Sequence, residues 1–146
     1  MGNPNFQEAN RKFFQELYAA AKQVREYAYA PYSHFSVGAA ILSSEGEIFT
    51  GCNVENASYG LSVCAERVAV FKAVSQGCSS FRALVLVTDG ETPASPCGAC
   101  RQVLAEFSPE LEVFMCNLKG KIVHTTVEKL LPYTFRFKKA GEEYVK

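Results

Sequence analysis

The chain has 146 residues, of which 48% are hydrophobic and 21% are charged, as is typical of one ordinary globular domain. Lysine and arginine together number 15, and so do aspartate and glutamate, which leaves a net charge of zero. Proteins that bind duplex nucleic acid or tRNA normally present a basic stripe, so this balance argues against such a partner. We expect a single domain over residues 1–146.

The hydrophobic pattern gives no indication of a membrane or secretory segment. No apolar run reaches the ~18 residues that a transmembrane helix needs. The polar stretch Met1–Asn10 lacks the apolar core of a signal peptide. The six cysteines are therefore interpreted as reduced thiols and metal ligands rather than as disulfides. We expect a cytoplasmic protein with no membrane partner.

The first third of the chain predicts a helix followed by a hairpin. Apolar residues at spacings of three, four and seven predict a helix over Asn5–Tyr29, which Pro31 would end. Alternating apolar residues predict strands at Phe35–Leu42 and Glu47–Val54, joined by a turn at Ser43–Gly46. These two strands should pair in antiparallel fashion.

The rest of the chain alternates helices with strands. A helix starting at Ser62 or Cys64 and ending near Ser75 is apolar on nearly all sides, which indicates burial. The later elements are a strand at Phe81–Val87, a helix carrying Cys100 and ending near Phe107, strands at Glu110–Cys116 and Lys121–Thr126, and a short helix at Val127–Leu131. This order predicts an α/β fold, a three-layer α/β/α sandwich with one mixed five-stranded sheet.

Two short stretches, CAER at 64–67 and PCGAC at 96–100, carry the residues for one metal site. A catalytic zinc takes three protein ligands and leaves a fourth position for water, and three thiols match that number. Helix starts stabilise thiolates through unpaired N–H groups and the positive end of the dipole. Glu66, only two places after Cys64, is poorly spaced for a fourth ligand and is predicted to carry protons beside the metal.

Two other interpretations of the cysteines remain open at this point. The Cys-x-x-Cys pair could be a redox pair, although such pairs need no second cysteine motif. A closed structural zinc site would need a fourth thiol from Cys52, Cys78 or Cys116, and it would leave no position for water. Cys52 and Cys116 lie in apolar strand patterns, where cysteine usually serves as a small buried hydrophobe.

The paired motifs resemble the pattern of the zinc nucleobase deaminases, His-x-Glu followed by Pro-Cys-x-x-Cys, in which cysteine can replace histidine. Further stretches are similar to the short, homotetrameric cytidine deaminases: PYSHF at 31–35, VGAA at 37–40, GCNVENA at 51–57 and CGACRQ at 97–102. The resemblance runs from about Tyr29 to Phe135. It implies a cytidine deaminase-like fold, bound Zn²⁺, and hydrolytic deamination of free cytidine and deoxycytidine with release of ammonia.

The resemblance also implies a role for each residue of the site. Cys64, Cys97 and Cys100 would hold the zinc. Glu66 would take a proton from water and deliver it to the leaving amino group. Arg67 would donate to the ligand sulfurs and offset the negative charge of three thiolates.

The implied substrate-binding set is Phe35, Asn53, Glu55, Asn56, Tyr59, Ala65 and Phe135. Phe35 would stack on the base, and Asn53 and Glu55 would hold the ribose 3′-hydroxyl. A carboxylate there would repel a phosphate and so favour nucleosides over nucleotides. Phe135 would reach the base from a neighbouring subunit of a homotetramer.

Ala65 N–H and a carbonyl near Ser95 would bind the amide edge of the cytosine.

The implied pathway role is pyrimidine salvage. A blasticidin-S-type deaminase, with a similar three-cysteine site, is the alternative enzyme. A non-catalytic binding module stabilised by structural zinc is the alternative from another class. A nucleic-acid editor shares the chemistry but is disfavoured by the zero net charge.

Overall fold

The computed structural model describes residues 4–137 and 139–141, with side chains from Lys12 onward. Phe6 of the expected apolar helix face and the tail from Glu142 lie outside the described side chains. The elements are α1 (Pro4–Arg25), β1 (Val37–Ser43), β2 (Ile48–Cys52), α2 (Ala65–Ser75), β3 (Phe81–Thr88), α3 (Gly98–Phe107), β4 (Glu112–Asn117), β5 (Ile122–Thr126) and α4 (Val127–Leu130). A short 3₁₀ turn, which the sequence pattern did not predict, spans Tyr59–Leu61.

The five strands form one mixed sheet, as predicted, and their order in the sheet is β2-β1-β3-β4-β5. Strands β3 and β4 are parallel, and every other neighbouring pair is antiparallel. Thr88 at the end of β3 lies between Val37, which begins β1, and Asn117, which ends β4. Cys52 at the end of β2 pairs with Gly38. We call the edge defined by these strand termini the carboxyl edge.

Helices cover both faces of the sheet, which confirms the three-layer arrangement. Helix α1 packs on one face through Leu17 and Ala21, which are 1% and 0% exposed. The core on that face consists of Leu17, Ala21, Ala40, Leu42, Ala83, Val85, Val87 and Cys116. Helices α2 and α3 pack on the other face, over a core that includes Ile41, Ala69, Val70, Leu84, Leu86, Leu104, Val113 and Met115.

Two glycines allow the helices to approach the sheet backbone closely. A Cβ at Gly38 would lie 1.9 Å from the carbonyl oxygen of Ala21 in α1. A Cβ at Gly51 would lie 2.5 Å from both the Ala65 carbonyl oxygen and the Ala69 nitrogen. The first turn of α2 therefore lies directly on β2, which fixes where that helix begins.

Helix α1 ends at Arg25, four residues before the predicted end at Tyr29. The Tyr29 N–H donates to the Asn53 carbonyl at 3.0 Å, and the Glu55 N–H donates to the Tyr29 carbonyl at 2.8 Å. These bonds, formed with a distant part of the chain, replace the helical bonds that local periodicity predicted. Among the described residues, none of the helices combines the length and apolarity that crossing a bilayer requires.

Candidate metal centre and cavity

Two helix starts bring three cysteine sulfurs together at the carboxyl edge. Cys64 is the N-cap of α2, Cys97 is the N-cap of α3, and Cys100 lies in the first turn of α3. The Sγ atoms of Cys64 and Cys97 are 3.7 Å apart, and those of Cys97 and Cys100 are 3.5 Å apart. All three sulfurs lie within 4.8 Å of one another.

The three sulfurs fit a zinc ion in number, chemistry and spacing. Tetrahedral coordination with Zn–S bonds of about 2.3 Å separates ligand sulfurs by about 3.8 Å, close to the two distances above. Within the described part of the chain, no fourth cysteine, histidine or carboxylate belongs to this cluster. Cys52, Cys78 and Cys116 lie elsewhere, so the arrangement lacks the fourth thiol that a closed structural site would need.

Glu66 is the buried acid beside this cluster. It lies in the first turn of α2 and is 4% exposed. Burial is the main cause that raises the pKa of its carboxyl to about 7. The charge of the Cys64 sulfur acts in the same direction, while hydrogen bonds and the charge of Arg67 oppose the shift. A group that titrates near neutral pH can both accept and release a proton during a reaction.

Arg67 supplies positive charge to the same cluster. Its Nη2 atom lies 3.5 Å from the Cys64 sulfur, and its buried Nε has no hydrogen-bond partner among the described residues. Hydrogen bonds from the Cys100 thiol and from Arg67 lower the pKa of Cys64 to about 5. The pKa of Cys100 is raised, because it shares its proton with Cys64 and because it is buried. The contact of the Arg67 guanidinium with the Cys64 sulfur raises the pKa of Arg67, so the guanidinium stays charged.

A cavity of about 220 Å³ opens onto Glu66, Cys64 and Cys97. Such a volume suits one small molecule. Its lining consists of Phe35, Val37, Asn53, Cys64, Ala65, Glu66, Leu86, Thr88, Ala94, Ser95 and Cys97. The structure thus brings Phe35, Asn53 and Ala65 of the predicted substrate set together with Glu66. Sequence reasoning missed Leu86, Thr88 and Ala94, although their position at and beyond the end of β3 could have indicated them.

Asn53 holds the segment that carries Phe35. Its Oδ1 accepts from the Val37 N–H at 2.8 Å, and its Nδ2 donates to the Phe35 carbonyl at 2.7 Å. The Phe35 N–H in turn donates to the Ser33 hydroxyl at 3.0 Å. The sequence pattern had predicted Phe35 as the first residue of the strand. These bonds instead keep Phe35 before the start of β1 and at the cavity wall. The ribose contact of Asn53 stays a prediction.

Glu55 serves the same segment from a neighbouring position. Its carboxylate accepts from the Tyr32 N–H at 3.0 Å, from the Ser33 N–H at 3.1 Å and from the Ser33 hydroxyl at 2.5 Å. The Ser33 hydroxyl is the main cause of the lowered pKa of Glu55. Glu55, Asn56 and Tyr59 line a second cavity of about 280 Å³. Their direct contact with substrate also stays a prediction.

Phe135 lies apart from both cavities of this single chain. Its carbonyl accepts from Gln102 Nε2 at 2.9 Å, and its ring contacts Phe137 with centroids 4.9 Å apart. The side chain is 64% exposed. Its contact with the base in a neighbouring subunit therefore stays a prediction.

Comparison with known proteins agrees with this geometry. The family model of the cytidine and deoxycytidylate deaminase zinc-binding region matches residues 11–116. A cytidine deaminase of Sporosarcina psychrophila is 57% identical over 122 residues, which cover 83% of this chain and 90% of that protein. The crystal structure of cytidine deaminase from Burkholderia pseudomallei superposes with a TM-score of 0.80 at 50% identity, covering 83% of this chain and 98% of that one.

A second type of deaminase is also similar. The blasticidin-S deaminase of Bacillus cereus is 35% identical over 107 residues, which cover 68% of this chain and 76% of that protein. The family model spans well over half of the chain and includes all three clustered cysteines and Glu66. The chain therefore belongs to the cytidine and deoxycytidylate deaminase family.

Proposed function

We propose that the chain catalyses zinc-dependent hydrolytic deamination of free cytidine and deoxycytidine to uridine and deoxyuridine. The observation that carries this proposal is a buried carboxyl, Glu66, with a pKa of about 7, beside three clustered thiols and a cavity for one small molecule. Cys64, Cys97 and Cys100 hold the metal. When bound there, zinc supplies the Lewis acidity that makes water a nucleophile at neutral pH.

The chain's own residues then handle protons and position the substrate. The Glu66 carboxylate accepts the proton that the attacking water loses and returns one to the departing amino group, so water is consumed and ammonia is released. Arg67 stabilises the sulfurs as thiolates through its contact with Cys64. Phe35, held by Asn53, offers an aromatic face to the pyrimidine.

Cytidine is favoured over blasticidin S as the substrate. The polar stretch from Asn53 to Glu55 matches the ribose-binding motif of the cytidine deaminases that the sequence resembles. The higher identity to a cytidine deaminase, 57% against 35%, supports the same choice.

We also propose that the chain forms a homotetramer whose sites are completed across subunits and that it serves pyrimidine salvage in the cytoplasm. Aromatic side chains that are more than half exposed support self-association, since large apolar surfaces are normally covered. They include Tyr27 at 75%, Tyr59 at 78% and Phe135 at 64% exposed. Six free cysteines support a reducing compartment. Light scattering on the purified protein gives the subunit number, and a monomeric, fully active protein would exclude the tetramer.

The activity test follows the ultraviolet absorbance of cytidine after protein is added. We expect the absorbance to fall with the wild type, to stay constant with Glu66→Ala, and to fall normally with the matched control Glu47→Ala, an exposed acid. Blasticidin S is then added as a competitor and as a substrate. Constant absorbance with zinc-loaded wild type would overturn the proposal, and turnover of blasticidin S alone would favour the alternative enzyme.

A further inference from the structure

The segment between β3 and α3, residues 89–96, carries part of the wall of the cavity beside Glu66. Ala94 and Ser95 of this segment line the cavity with Thr88. Among the described residues, no backbone–backbone hydrogen bond joins 90–96 to the rest of the chain. Side chains from other elements therefore determine the shape of this wall.

Asn117, at the end of β4, holds the first half of the segment. It is fully buried, and its Nδ2 donates to the Gly90 carbonyl at 3.1 Å and to the Glu91 carbonyl at 3.2 Å. Its Oδ1 accepts from the Lys119 N–H at 3.0 Å and the Lys121 N–H at 2.9 Å. The amide thus uses both of its donor hydrogens and both acceptor positions.

Thr88 and Arg101 hold the second half. The Thr88 hydroxyl accepts from the Ala94 N–H at 3.3 Å. Arg101 donates from Nη2 to the Ser95 hydroxyl at 2.7 Å and from Nε to the Pro96 carbonyl at 2.9 Å. Its Nη1 donates to the Leu130 carbonyl in α4 at 2.8 Å. The guanidinium is therefore directed at the wall and at α4, whereas Arg67 is directed at a sulfur.

We propose that Asn117 and Arg101 are positioning residues, which set the affinity for the nucleoside by fixing the wall 89–96 at both ends. This inference rests on the proposed function. Neither residue lines the cavity, so their effect passes through Ala94 and Ser95. A wall that is no longer fixed must be ordered by the substrate, and that ordering weakens binding without removing the metal or the proton carrier.

Two variants test the two ends separately. Asn117→Asp keeps the shape and both accepted bonds but places an oxygen against the Gly90 and Glu91 carbonyls. Arg101→Lys keeps the charge and loses the planar group that reaches three acceptors. The matched control is Ser108→Ala, at the edge of the sheet opposite the carboxyl edge. It removes another buried hydrogen bond, which the Phe81 N–H donates to the Ser108 hydroxyl at 3.0 Å.

We expect each variant to raise KM for cytidine about tenfold, as the loss of one or two hydrogen bonds allows. The kcat should change less than about threefold, because the reacting groups are untouched. Zinc content should match the wild type. Ser108→Ala should lower Tm without changing KM. The double variant should raise KM by less than the product of the single effects, since both residues act on one wall.

Wild-type turnover of cytidine is measured first, since its absence overturns the proposed function and this inference with it. With an active wild type, unchanged KM in Arg101→Lys overturns the inference alone, even if Asn117→Asp fails to fold. An equal rise of KM in the control Ser108→Ala also overturns the inference. So does a loss of zinc and kcat with unchanged KM in Asn117→Asp or Arg101→Lys.

Discussion

Two cysteine-containing clusters lie near opposite ends of helix α2. At its start, Cys64 meets Cys97 and Cys100, and just beyond its end Cys78 meets Glu45 and Glu47. In both clusters the ligand atoms lie within 4.8 Å of one another. Proximity alone would make either one a candidate for a metal ion.

The electrostatic surroundings of the two clusters differ. Hydrogen bonds from the Cys100 thiol and from Arg67 lower the pKa of Cys64 to about 5. The positive end of the helix dipole also favours a thiolate at this position. At the other end the helix dipole is negative. Burial raises the pKa of Cys78, and the carboxylates of Glu47 and Glu45 raise it further. Near neutral pH, Cys64 is therefore present as a thiolate, the form that binds a metal, whereas Cys78 is held as a thiol.

The largest expected effect breaks the cluster at the helix start. Cys100→Ala removes a ligand, so zinc should be lost and kcat should fall by at least about 10³-fold, because the Lewis acid is gone. The measurements are zinc content by mass spectrometry and cytidine turnover. Cys78→Ala is the control and should keep both. Full zinc content in Cys100→Ala would show that this thiol is not a ligand.

The next effect separates proton transfer from metal binding. Glu66→Gln keeps the side-chain shape but cannot carry a proton, so kcat should fall by about 10²–10⁴-fold with zinc retained. The matched change at the other cluster, Glu47→Gln, should leave turnover unchanged. If Glu66→Gln instead lost the metal, Glu66 would have to be reassigned as a ligand.

A smaller effect is expected from the arginine that distinguishes the two ends of α2. Arg67→Gln should retain zinc and lower kcat about tenfold, because the thiolates lose one charged hydrogen bond. Lys72→Gln, which changes an exposed lysine in the last turn of the same helix, is the control. Unchanged turnover in Arg67→Gln with the metal bound would exclude this role.

The smallest effect is expected at the cluster of Cys78, Glu45 and Glu47. Replacing both Glu45 and Glu47 with glutamine removes the negative charges that raise the pKa of Cys78, so more thiolate is present at pH 8. Alkylation of Cys78 should become a few-fold faster, since burial, the larger cause of the shift, remains.

Cys116 is the internal control for this alkylation experiment. Burial alone raises its pKa to about 11, so its alkylation rate should not change. Peptide mass spectrometry across a pH series measures both cysteines. A Cys78 rate that is independent of the two substitutions would contradict the charge argument.

Local sequence patterns predicted the strands and helices of this fold in the correct order. Alternation and helical periodicity depend on near neighbours, so β1, β2 and the helices that carry the cysteines were recognisable from their own residues. The spacing of Cys97 and Cys100 on one helix turn, with Glu66 beside Cys64, likewise predicted a metal centre that the structure brings together.

The sequence by itself thus determined the elements, the chemistry of the metal centre and the family resemblance, because each is carried by residues close together in the chain. Only the tertiary structure decided that α1 stops at Arg25. It also decided that Asn117 holds the cavity wall, because Asn117 is the neighbour of Thr88 in the sheet although it lies 29 residues beyond it in the chain. Both depend on hydrogen bonds between residues distant in sequence, and no local pattern encodes such partners.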